Sequence, residues 1–255
     1  MNKLQKLLVE SKSLNRKLLS IFLTAGFPNP QTFDKVLLDT AAYADIIELG
    51  VPFSDPVADG PTIQYSSQKA IEKGVSLHDV LSMLKNFRKK SSVPVVIMSY
   101  SNPVYRYGVE RFFREASSAG LDGIILPDVP YEERCPYISA ARKYEISYIP
   151  IVSLTTSLNR AVDISGTSTG FVYVTAVTGV TGVRKSVSRT LPCFLKDLKS
   201  RSNKPIFVGF GISSREHIIG LKNFCDGFIV GSAVIEVIRR GKNISKFLEN
   251  LRSGL

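Results

Sequence analysis

Tryptophan is absent from this 255-residue sequence, histidine occurs only twice and cysteine only three times. Each shortage closes a line of chemistry. Cys135, Cys193 and Cys225 are an odd number without a CxxC spacing, so neither a disulfide framework nor a zinc knuckle is expected. His78 and His217 stand alone in helix-like stretches and read as helix-surface residues, so no metal site is expected. Long apolar runs are missing too. The longest, Val93 to Met98, is far shorter than the roughly 20 residues that cross a bilayer. The first twenty residues alternate charges with leucines and offer no apolar h-region, so no secretory signal is expected. These shortages point to a reduced, cytoplasmic compartment and no membrane partner.

What is present is an ordinary globular composition. Hydrophobic residues make up 44%, which excludes intrinsic disorder. The net charge of +11 is unevenly placed: residues 1–20 and 239–255 each carry five Lys/Arg and one Glu, giving +8, and the 218 residues between them carry only +3. Basic ends on a near-neutral body are the footprint of a polyanion patch or, more simply, of solvated helix faces. No aromatic or Gly-rich binding motif accompanies the charge, so nucleic acid is not expected as a partner.

Eight short apolar, β-branched segments recur: Ser20–Thr24, Asp45–Leu49, Pro94–Met98, Asp122–Pro127, Tyr148–Val152, Phe171–Thr175, Pro205–Gly209 and Gly227–Val230. Stretches with helical apolar spacing alternate with them, which predicts parallel strands joined by right-handed crossovers. Eight such units in about 250 residues is the count of a TIM (β/α)8 barrel, an α/β fold. The expectation is one domain over 1–255, with an N-terminal helical extension over 1–18. An open doubly wound sheet is the structural alternative. The interval from the second strand to the third is longest and holds a polar loop, Gly50–Pro61, at the strand end where barrels place their chemistry.

The segment from Asp45 to Gln64 contains four carboxylates, Asp45, Glu48, Asp55 and Asp59, and no basic residue. Strand alternation puts Glu48 on the face of Ile46, opposite Ile47 and Leu49. Desolvation on that apolar face raises a carboxyl pKa, which suits a group that gives and takes protons near neutrality. Asp59 reads either as a turn residue or as the second member of a carboxylate pair. Three glycine-bearing segments follow the last three strands: Gly179–Gly182, Gly209–Gly211, and Gly231 with Ser232. Together they match the phosphate cradle of a barrel, with Ser232 opening a short helix. No GKS or GKT follows, so a P-loop is excluded. No strand segment contains lysine, so Schiff-base chemistry has no nucleophile.

The motifs ELGVPFSDPVADGPTIQ, NPVYRYG, LPDVPYEE, TGVTG, VGFGISS and GSAV, in this order, closely resemble tryptophan synthase alpha chains, from about Leu18 to the C-terminus. The resemblance implies a barrel that cleaves indole-3-glycerol phosphate to indole and glyceraldehyde 3-phosphate. It implies catalytic roles for Glu48 and Asp59, and substrate contacts from Phe22, Tyr100, Ile151, Tyr173 and Thr181. Phosphate contacts are implied at Gly182, Gly211, Gly231 and Ser232. A tryptophan synthase beta chain is the implied partner, in an αββα heterotetramer, touching Asp55, Asn102 and Gly179. Pyridoxal phosphate is expected only in that beta chain, so this chain is expected to need no cofactor. Ser153-Leu154 stands where many members have Ala-Pro, and Val177 where some have Arg. These departures imply a looser or less polar lid, and with it the alternative of a catalytically weak subunit that chiefly activates its beta chain.

Overall fold

The computed structural model describes residues 1–176 and 190–255. Its strands are β1 (Leu18–Thr24), β2 (Ile46–Gly50), β3 (Val95–Met98), β4 (Gly123–Ile125), β5 (Ser147–Tyr148), β6 (Ile151–Val152), β7 (Val172–Thr175), β8 (Ile206–Gly209) and β9 (Gly227–Val230). They are buried on both faces, which is why the sequence shows β-branched runs rather than alternation with polar residues. The pairings are parallel, in the order β5-β4-β3-β2-β1-β9-β8-β7-β6.

The two ends of that order, β5 and β6, are halves of one extended stretch. Ile149 N–H donates to Ile124 O on one side, and Pro150 O accepts from Tyr173 N–H on the other, both at 3.0 Å. One segment thus bridges β4 and β7 and closes the sheet into an eight-membered barrel. The single fifth strand expected from the sequence is divided at Pro150, which has no N–H for a ladder.

Strand alternation sorts the apolar residues into two cores. Leu18, Phe22, Ile46, Val96, Phe171 and Phe207 point inward and fill the barrel, with Phe171 and Phe207 stacked at 4.2 Å between ring centroids. Leu19, Ile47, Leu49, Val95 and Val174 point outward, beneath the helices. The first crossover is α2 (Pro30–Ala41), and the long second interval resolves into α3 (Pro61–Glu72) and α4 (Leu77–Phe87). Pro61 opens the first, and a Ser76–Asp79 capping box opens the second.

The helix α1 (Lys3–Ser13) does more than extend the chain. Asn2 Nδ2 donates to Asp122 O (2.8 Å) and Glu145 O (2.9 Å), and Gln5 Nε2 to Thr169 O (3.1 Å). Leu4 and Leu8 join the inner core, so the helix plugs the base of the barrel. Asp45, also at the base, accepts from Leu19 N–H at 2.9 Å and pairs with Arg16 and Arg252. One arginine from each basic end is therefore spent on the fold, and Asp45 lies apart from the other carboxylates of its segment. Among the described residues no helix is long and apolar enough to cross a membrane.

Candidate active site

Glu48 faces the barrel interior from β2, in register with Phe22 of β1 and Val96 of β3. It is fully buried. Its Oε1 accepts a hydrogen bond from Ser20 Oγ at 2.8 Å, whereas Oε2 is buried without a hydrogen-bond partner. Burial raises its pKa from the ordinary 4.5 to about 7, and the Ser20 hydrogen bond opposes the rise. Among the described residues no cation pairs with it. It is a carboxyl poised near neutrality with one oxygen uncommitted.

Asp59 arrives on the loop between β2 and α3 and is 8% exposed. Its backbone is fixed at both ends, by its N–H to Pro56 O (3.0 Å) and by Gln64 Nε2 to its carbonyl (2.8 Å). Tyr100, at the end of β3, ties the loop down: its hydroxyl accepts from Ala58 N–H (3.0 Å) and donates to Asp59 Oδ2 (3.1 Å). Burial lifts the Asp59 pKa from 3.8 to about 6, with the Tyr100 hydrogen bond opposing. Tyr173, on β7, is held far above its ordinary value by burial and then by the charges of Glu48 and Asp59. Its phenol stays protonated and is no base.

A cavity of about 470 Å³, open mouth included, lies at the C-terminal ends of the strands. Phe22, Met98, Tyr173 and Ile229 form its apolar side, Asp59 borders it, and residues 210–213 and 231–233 close the remaining side. Tyr173 leans over β8, where a Cβ on Gly209 would stand 2.3 Å from its hydroxyl. Only glycine admits the ring there.

The polar end of the cavity is made of backbone. After β8 the chain turns through Phe210 (φ +57) and Gly211 (φ +96), the latter a conformation that favours glycine. Ser232 opens the helix Ser232–Arg239, and Gly231 ahead of it provides no side-chain cap. The N–H groups of Val234 and Ile235 already donate to Gly231 O, at 2.8 and 3.0 Å. Ser232 and Ala233 precede them and line the cavity, so the positive end of the helix borders it.

The structure thus brings together around one cavity Phe22, Asp59, Tyr173, Gly211, Gly231 and Ser232. Glu48 sits in the barrel layer of Phe22, and Tyr100 lies behind Asp59. Ile151 is in register with Tyr173 and packs on the inner core, but it borders a separate cavity with Tyr131, Arg134 and Tyr148. Asp55, on the loop after β2, and Asn102, in the helix Ser101–Tyr107 that follows β3, are exposed at the same barrel end. Val177, Gly179, Thr181 and Gly182 lie outside the described residues. At the IVSLTT departure, Ser153 takes over the turn: its carbonyl accepts from Thr156 N–H (3.0 Å) and its hydroxyl contacts Thr155 Oγ1 (3.0 Å). Leu154 packs against the outer core.

Sequence reasoning missed Ser20, Met98, Phe210, Ser213 and Ile229. Met98 and Ile229 were recoverable from period-two alternation at strand ends. Ser213 sits in a motif already singled out, VGFGISS. Ser20 offered no local signal.

Residues 8–253 match the family model described as tryptophan synthase alpha chain. The tryptophan synthase alpha chain of Thermoanaerobacter sp. (strain X514) is 43% identical over 254 residues, covering 99% of this chain and 97% of that relative. Among solved structures, tryptophan synthase subunit alpha from Legionella pneumophila str. Paris superposes with a TM-score of 0.89 at 34% identity, covering 100% of this chain and 98% of that one. Mycobacterium tuberculosis tryptophan synthase superposes with a TM-score of 0.91 at 31% identity, covering 99% and 98%.

Proposed function

The chain belongs to the tryptophan synthase alpha chain family, an enzyme subunit, and from that premise we propose that it cleaves indole-3-glycerol phosphate to indole and glyceraldehyde 3-phosphate. The observation that carries the reading is a pair of buried carboxyls: Asp59, lifted to about 6, lines the cavity, and Glu48, lifted to about 7, sits in the barrel layer of Phe22, which lines it too.

Asp59 accepts a hydrogen bond from the indole N–H and stabilises positive charge as the ring becomes an indolenine. Glu48 delivers a proton to ring carbon C3. A carboxylate removes the proton from the hydroxyl beside the scissile bond, and the bonding pair returns to the ring. One proton leaves oxygen and one reaches carbon, so the step balances without metal, lysine or redox partner. The protonated ring is the electron sink. Phe22 and Tyr173 flank the ring, with Thr181, Tyr100 and Ile151 as further substrate contacts, and the phosphate rests on Gly182, Gly211, Gly231 and Ser232. The reaction needs no cofactor in this chain.

In the cell the chain works with a tryptophan synthase beta chain in the cytoplasm, as an αββα assembly, and the beta chain alone carries pyridoxal phosphate. Asp55, Asn102 and Gly179 form the contact. Val57 and Tyr105, 75% and 73% exposed on the loop of Asp55 and the helix of Asn102, give that face apolar anchors. Docking stimulates the lyase well over about tenfold, at least 1.4 kcal/mol of barrier.

The test is indole release from indole-3-glycerol phosphate, with and without a beta chain. Glu48→Gln and Asp59→Asn are expected to lose at least about 100-fold in kcat with the fold retained. Asp55→Lys is expected to abolish stimulation and leave the basal rate. Wild-type turnover by Glu48→Gln would refute the assignment.

A further inference from the structure

Ser20 places a hydroxyl inside a barrel otherwise packed with apolar side chains. β1 carries it inward between Leu18 and Phe22, fully buried, and its register neighbours Ile46 on β2 and Ile229 on β9 are apolar. A hydroxyl in such surroundings is unfavourable unless hydrogen-bonded. The partner it has is Glu48 Oε1, at 2.8 Å.

The bond breaks the symmetry of the carboxyl. Oε1 is occupied by a donor, and Oε2, equally buried, has no partner. A proton added to Oε1 would compete with the Ser20 hydrogen, whereas one on Oε2 displaces nothing. The same bond favours the ionised carboxylate and so works against desolvation. Little else faces Glu48 that could substitute. Phe22 and Val96 on the adjoining strands are uncharged, Tyr173 from β7 remains a neutral phenol, and Asp59 from the β2–α3 loop is bonded to Tyr100. Among the described residues no cation pairs with Glu48.

We infer that Ser20 is a positioning residue for Glu48: by holding Oε1 it fixes the carboxyl's orientation and assigns the travelling proton to Oε2, the oxygen left without a partner. The inference rests on the lyase reading of the site.

The test compares wild type, Ser20→Ala, Ser20→Thr and Glu48→Gln in indole release across pH 5.5–9, with thermal melts of each. A hydrogen bond to a charged group sets the scale. Ser20→Ala is expected to lose about tenfold or more in kcat, to keep KM within about twofold and to move the limb governed by Glu48 to higher pH. Ser20→Thr, which restores the donor, is expected to recover both the rate and the limb. A carbon-13 NMR titration of the Glu48 carboxyl in the unliganded protein reads the same coupling without turnover, and Ser20→Cys, a weak donor of similar size, substitutes if Ser20→Ala does not fold. An inactive Glu48→Gln beside a Ser20→Ala with wild-type kcat and pH profile would overturn the role of Ser20 and leave the lyase reading standing. Failure of wild type itself to release indole would sink the lyase reading instead. The NMR titration then decides on Ser20, and an unmoved Glu48 in Ser20→Ala overturns the inference.

Discussion

Replacing Glu48 by glutamine separates activity from stability in a way that depends on pH. In the unfolded chain a glutamate titrates near 4.5, and in the barrel Glu48 is pushed to about 7. A carboxyl raised by folding binds its proton more tightly in the native state. Its contribution to stability is therefore full below 4.5 and is lost as pH climbs through about 7. With about 1.4 kcal/mol for each tenfold change in proton affinity, wild type should lose about 2–3 kcal/mol from this group between pH 5 and pH 8. Glutamine has no such titration. Whatever the amide costs beside Ser20 is constant with pH, and the contribution of Asp59 is common to both proteins, so both drop out of the difference. Urea unfolding of wild type and Glu48→Gln at pH 5, 6, 7 and 8 measures it directly. The expected result is a catalytically dead variant that gains on wild type as pH rises, by about 2–3 kcal/mol over that range. A difference in stability that stays flat from pH 5 to pH 8 would show that Glu48 does not titrate there, and the account of its acid–base role would fall with it.

Tyr100→Phe removes the donor to Asp59 and the acceptor of Ala58 N–H. The Asp59 limb of the pH–rate profile should rise above about 6 and kcat should fall about tenfold, and an unmoved limb would contradict the clamp. Gly211→Val forces a β-branched residue into a φ of +96 at the polar end of the cavity. KM for the phosphate substrate should rise about tenfold while melting temperature falls by only a few degrees, and inorganic phosphate should compete in wild type but not in the variant.

Much of the architecture was open to reading because two-sided burial leaves continuous β-branched runs, and all eight segments reappear as strand or strand pair. Pro150 divided the fifth, a break that follows from its missing N–H and was available from sequence. Glu48 stood out because alternation placed a carboxylate on an apolar face and no cation was near it in sequence. Asp59 needed its context, since a loop aspartate is ambiguous alone. Ser20 could not be paired with Glu48, because that contact depends on the β1–β2 register, which a single sequence does not carry. Asp45 was counted with the acidic segment, yet three residues of strand carry it from Glu48 to the base, where Arg16 and Arg252 meet it. Separation along a strand, invisible as proximity in a string of letters, decided which carboxylates belong together.

The helical plug at the barrel's base sets an order of events during synthesis. Asn2 and Gln5 leave the ribosome well before the carbonyls they bind, which belong to Asp122, Glu145 and Thr169, 120 to 164 residues downstream. Until those have been made, the opening segment has nothing to dock on, and Leu4 and Leu8 wait in water. The barrel's floor is therefore made early and seated late, and whatever chain is joined immediately ahead of Asn2 lies next to the hydrogen bonds that seat it.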